Sequence, residues 1–74
     1  MFEDDIKWVR SQISRLPPAY HKKAADSYAK VYAEAYAEKA GSGELIQIQH
    51  ARTTANTRLR RYVGAVLNRV HGGE

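Results

Sequence analysis

Seventy-four residues are enough for one domain, close to the lower size at which a chain buries a core without covalent or metal staples. No cysteine is present, which excludes a disulfide framework and any thiolate metal site and fits a reducing compartment. The net charge of +4 is unevenly spread, with residues 1–18 summing to zero, residues 19–43 to +1 and residues 44–74 to +3. Every lysine lies at or before Lys39, and every basic residue other than histidine after it is arginine.

The first predicted helix covers about residues 2–15. Phe2, Ile6, Val9, Ile13 and Leu16 recur at intervals of 4, 3, 4 and 3, the seam spacing of an amphipathic helix. Glu3, Asp4 and Asp5 fall in its first turn and Arg15 in its last, both favourable to the helix dipole. Leu16-Pro17-Pro18 ends it, because proline restricts the residue before it and cannot continue the hydrogen-bond ladder. The acidic opening Met1-Phe2-Glu3-Asp4-Asp5 lacks the positive flank of a signal peptide. No apolar run approaches the roughly 18 residues of a membrane span. A cytoplasmic protein with no membrane contact is therefore expected.

The second predicted helix covers about residues 18–40, with Pro18 in its first turn. Tyr28, Tyr32 and Tyr36 are spaced by four and form a ridge, and Ala25, Ala29 and Ala33 run beside it, so that a neighbouring helix could approach closely. A core role is the simpler explanation for such a ridge. As a protein contact it would use tyrosine's taste for interfaces that stay wet at one end. Trp8 sits beside the seam of the first helix, and a domain this small is not expected to cover it and all five tyrosines. Trp8, Tyr28, Tyr32 and Tyr36 are thus the candidate protein-contact residues.

Gly41-Ser42-Gly43 supplies a helix stop and, in Ser42, an N-cap for the third helix, which covers about residues 44–71. From Leu45 to Gly73 this segment carries five arginines and no acid. At about 100° per residue, Ile48, Ala51, Ala55, Leu59, Tyr62, Val66 and Val70 share one side. His50, Thr54, Thr57, Arg61 and Asn68 lie near the opposite side, with Arg60 and Thr53 close by. Thr53-Thr54-Ala55-Asn56-Thr57 are poor helix formers, so a break near Thr54 is the alternative to one continuous rod. The apolar stripe keeps its phase across them, which favours the rod. Arg52 falls inside that stripe. It must either run its stem out to water or pair with an acid of another helix, such as Asp26 or Glu34. Gly64, mid-helix on the polar side, marks a close approach by a phosphate backbone or partner helix, or is a tolerated defect.

Strand signals are absent, and two short connections imply antiparallel neighbours. The expected fold is all-α, a small antiparallel three-helix bundle forming one domain over residues 1–74. No cofactor or metal is expected, because His21, His50 and His71 do not converge with one another or with carboxylates. No nucleophile elbow, facing acid pair or phosphate loop is present, so no enzyme is expected.

Two functions remain. The favoured one is a small helical interaction module, an adaptor or inhibitor, that covers a protein partner or a second copy of itself with its aromatic and arginine-bearing faces. A symmetric dimer would double the arginine face and bury the aromatic surplus. The alternative is nucleic-acid binding through the basic face of the third helix, where Thr53, Thr57, Arg60, Arg61 and Asn68 could meet phosphates or base edges. The same residues would serve an acidic protein partner. The succession of first helix, Leu-Pro-Pro, Ala/Tyr helix and Ala55-Asn56-Thr57-Arg58-Leu59-Arg60-Arg61-Tyr62-Val63 resembles small uncharacterised proteins of bacteriophage and prophage genomes. That resemblance implies an accessory role in a bacterial cytoplasm, and it carries no functional residues across.

Overall fold

The computed structural model describes residues 3–72, with side chains described for residues 5–70. Three helices, α1 (Glu3–Ser14), α2 (His21–Glu38) and α3 (Glu44–Gly72), are joined by a 3-10 turn at Pro18–Tyr20 and by the Gly41–Gly43 corner. No strand forms among the described residues. Phe2, expected on the α1 seam, and His71's side chain lie outside what is described.

The first connection is set by the two prolines. The backbone N–H groups of Arg15 and Leu16 donate to the carbonyls of Gln12 and Ile13 at 3.2 and 2.9 Å, which tightens the end of α1. Pro17 then adopts an extended conformation (φ −56°, ψ 146°). Pro18 opens the 3-10 turn rather than α2 itself, so the α-helix starts three residues later than its proline suggests. His21 Nε2–H donates to the Leu16 carbonyl at 2.7 Å, satisfying a helix-end acceptor that the prolines leave open.

At the other corner Gly41 and Gly43 hold φ of +91° and +101°, a region where side-chain-bearing residues are strained. The first α3 bond runs from the Gln47 N–H to the Gly43 carbonyl at 3.0 Å. The cap position therefore belongs to Gly43, one residue past Ser42, where the sequence pattern placed it.

α3 is one uninterrupted rod of 29 residues, about 43 Å at 1.5 Å per residue, nearly the 48 Å long dimension of the molecule. No break occurs near Thr54. Packing overrides the weak propensity there: Ala51 and Ala55 are fully buried, and the Asn56 Oδ1 accepts a hydrogen bond from Tyr28 Oη at 2.6 Å.

α2 runs antiparallel to α3. Gln47 Nε2 reaches the Tyr36 carbonyl at 3.1 Å near the corner, and Tyr28 meets Asn56 further along. α1 lies along both, in the same direction as α3. The core is formed by Leu16, Ala24, Tyr28, Ala55, Leu59, Val63 and Val66, with Trp8, Val9, Ile13 and Val31 half-buried against it.

Four positions differ from the seam read in sequence. Ile6 is 37% exposed, whereas Asp5 beside it is only 8% exposed. α1 is rolled so that Asp5, Val9, Gln12 and Leu16 face inward. Val70 is exposed because α3 continues past the end of α1 and α2, and Val63 takes the core place instead.

Candidate nucleic-acid interface

The aromatic residues expected to meet a partner are largely used up inside the fold. Tyr28 is buried, and burial pushes its hydroxyl up to about 12, with the Asp5 charge and Tyr32 adding to the rise and Arg52 opposing it. The Tyr28 and Tyr32 rings lie 6.3 Å apart at a 36° tilt, within the range of favourable ring pairs. Tyr32 and Tyr36 are half-buried. Ala25, Ala29 and Ala33 face solvent. The alanines that let α2 and α3 approach are Ala24, Ala35, Ala51 and Ala55, all buried. Trp8 is half-buried against the core, and the Arg60 guanidinium sits over its ring, 5.4 Å from the centroid.

Arg52 does pair with an acid from another helix, but the acid is Asp5 and not Asp26 or Glu34. Its Nε and Nη2 donate to the two carboxylate oxygens at 2.5 and 3.0 Å, the fork geometry that suits guanidinium and carboxylate. That hydrogen bonding holds the Arg52 guanidinium above its usual range, against a smaller lowering from burial. Asp5 was read only as a dipole-friendly first-turn acid. Its 5-9-12-16 spacing, parallel to the apolar seam, is the signal that would have placed it inside. His50 Nε2 donates to Glu38 Oε1 at 2.8 Å, which ties this member of the polar α3 face to α2. Among the described residues no group of three or more histidines and acids comes together as a metal site, and no helix is long and apolar enough to cross a membrane.

The antiparallel α2–α3 pair brings charges together that are far apart in sequence. Take the Tyr28–Asn56 bond as a dividing line. Toward the end where α1 finishes and α2 starts lie Arg10, Arg15, Lys22, Lys23, Arg58, Arg60, Arg61 and Arg69, with Asp26 the single acid among the described residues. All nine side chains are exposed. Toward the glycine corner, among the residues whose side chains are described, the charges balance, with Lys7, Lys30, Lys39 and Arg52 against Asp5, Glu34, Glu38 and Glu44. One half of an elongated molecule is thus strongly basic and the other close to neutral. Arg10, Arg15, Lys22 and Lys23 were not singled out from the sequence. Their contribution becomes visible only when the chain is folded back at Gly41–Gly43.

α3 turns a definite face outward, running from Thr53, just on the corner side of that line, into the basic half. Thr53, Arg61, Gly64 and Asn68 are exposed and Thr57 is half-buried. Arg60 borders this face on the α1 side, beside Trp8. Arg58 borders it on the α2 side, above a groove shared with Val31, Glu34 and Ala35. The five α3 candidates read from sequence, Thr53, Thr57, Arg60, Arg61 and Asn68, therefore fall on one continuous surface. Trp8, Tyr28, Tyr32 and Tyr36 do not join it, apart from Trp8's support of Arg60. Comparison with protein-family models, with curated proteins and with solved structures returned no match.

Proposed function

We propose that this protein binds nucleic acid, without catalysis, through its basic half. The carrying observation is the segregation itself: among the described residues, eight exposed cations from the three helices and the first turn lie on one side of the Tyr28–Asn56 bond with one acid, Asp26, although Arg58 also borders Glu34 and Glu38 across the line. Six of the seven exposed or bordering residues on α3 named above, all but Gly64, carry side chains that can donate hydrogen bonds to phosphate or base edges. A polyanion answers such a surface through counterion release, so affinity falls steeply with salt. Arginine predominates there, and its planar fork suits phosphate oxygens.

The test is a titration of labelled duplex DNA by fluorescence anisotropy at low and moderate salt. Dissociation constants on the order of micromolar at moderate salt are expected. The Arg60→Ala/Arg61→Ala double variant should lower the slope of log affinity against log salt by about 2. No binding at low salt, or binding that ignores salt, would overturn the proposal.

A second reading, contact with a protein partner or a second copy, is favoured by a different place. Leu45 and Ile46, neighbours at the start of α3, are 68% and 50% exposed at the near-neutral end. Sizing of the protein with and without Leu45→Lys/Ile46→Lys checks it. A larger species that the double variant abolishes supports this reading, and a monomer in both opposes self-association.

A further inference from the structure

We infer that the outward face of α3 around Gly64 enters the major groove of duplex DNA, with Gly64 at the point of closest approach and Arg60 and Arg58 on the two phosphate walls. This rests on the nucleic-acid reading above and narrows it to one kind of polymer and one docking mode.

Glycine in mid-helix weakens the helix, so its presence asks for a cause. Inside the fold there is none. Gly64 has ordinary helical backbone, and a Cβ added to it would meet nothing within 4 Å. Alanine would fit and would strengthen the rod. Whatever needs the missing side chain lies outside the molecule. A partner helix packing at a glycine would want an apolar border, but three of the four neighbours of Gly64 one helical turn away are Arg60, Arg61 and Asn68, and the fourth, Leu67, is half-buried against the protein's own core. Those side chains suit a polyanion.

The distribution across the face matches a groove better than a flat phosphate surface. Its middle holds a notch at Gly64 among groups that read base edges, namely the Arg61 guanidinium, the Asn68 amide and the Thr57 hydroxyl. Its two borders hold Arg60 and Arg58, where phosphates would line either side. Arg60 is seated over Trp8, so its head group is held in place before any ligand arrives. A helix about 10–12 Å across fits a B-form major groove about 12 Å wide. The major groove of duplex RNA is too narrow to admit it. The α3 rod is unbroken through this region, so the face is presented on one continuous helix.

The experiment uses the full chain and two variants, Gly64→Ala and Gly64→Leu. Each is melted by circular dichroism and titrated with mixed-sequence duplex DNA, with duplex RNA of equal length and with polyglutamate. Both variants should melt at or above the parent. Gly64→Leu should bind duplex DNA on the order of tenfold more weakly, with Gly64→Ala between it and the parent, while the parent prefers DNA to RNA. If Gly64→Leu loses structure, the Gly64→Ala comparison decides. A folded variant set that binds duplex DNA as the parent does, with salt dependence intact, sinks the groove proposal alone. Equal or better parent binding of duplex RNA or polyglutamate also sinks it. Absence of any nucleic-acid binding removes the broader reading with it.

Discussion

Buried small residues join α2 to α3: Ala24, Ala35, Ala51 and Ala55 let the backbones come close, and Leu59, Val63 and Val66 fill the space below. α1 is attached differently. It reaches the pair through a carboxylate on Arg52, a tryptophan under Arg60, and Val9 and Ile13, which are only half-buried. The first seam is mainly apolar, with the Tyr28–Asn56, Gln47–Tyr36 and His50–Glu38 hydrogen bonds spaced along it, and most of its stability comes from area removed from water. The second is directional and partly wet, so it fixes where α1 lies while holding it less firmly. A chain of this size has one core large enough for the first kind of seam, and α1 is positioned by specific bonds.

Four measurements break or sharpen that contrast. The largest effect should come from the apolar α2–α3 seam. Leu59→Ala removes a buried side chain from the middle of the core, and urea denaturation should show a loss of about 2–5 kcal/mol. That is most of the stability a domain this small has. Next comes the polar seam. Asp5→Asn removes the carboxylate that Arg52 holds, at a cost of about 1–3 kcal/mol, less than for a sealed pair because the Arg52 side chain is 35% exposed and can turn to water. Amide exchange should then quicken in α1 before α2 and α3. Equal acceleration in all three helices would erase the distinction between the seams.

Tyr28→Phe comes third, at about 1 kcal/mol for the bond to Asn56. Its signature lies in pH. The folded hydroxyl titrates at about 12 against 10.0 for a free tyrosine, so the neutral form is favoured by folding. The stability this contributes is complete below pH 10 and is lost as pH rises from there toward 12. Tyrosinate absorbance should show a late-titrating component in the parent that Tyr28→Phe loses. The smallest effect belongs to Arg60→Ala, about 0.5 kcal/mol in stability for an exposed cation over a ring. Under the proposed function it should still remove about one unit from the salt slope of DNA binding. A large stability loss there would mean that Arg60 serves the fold first.

The three helices, their corners and the polar and apolar sides of α3 were legible because each depends on local rules: periodicity, proline, glycine and charge. The continuity of α3 through Thr53–Thr57 followed from the phase of its stripe, even though the residues there have poor propensity. The roll of α1 was not legible. Ile6 and Asp5 are adjacent, and choosing which one faces inward required knowing that Arg52 waits on another helix 47 residues away. How the aromatics are covered was not legible for a similar reason. Whether Tyr28 and Trp8 are spare depends on Asn56 and Arg60, partners that only the fold brings near. The basic half had the same long-range origin, since Lys22 and Lys23 join Arg58–Arg61 only through the reversal at the glycine corner.

That corner carries a consequence of its own. Gly41 and Gly43 have positive φ, yet open space surrounds the place where a methyl group would sit on either one. The obstacle to a side chain is therefore handedness alone. A synthetic chain with D-alanine at position 43 should fold as readily as the natural one, and with fewer unfolded conformations to abandon, while L-alanine there should twist the hairpin out of register.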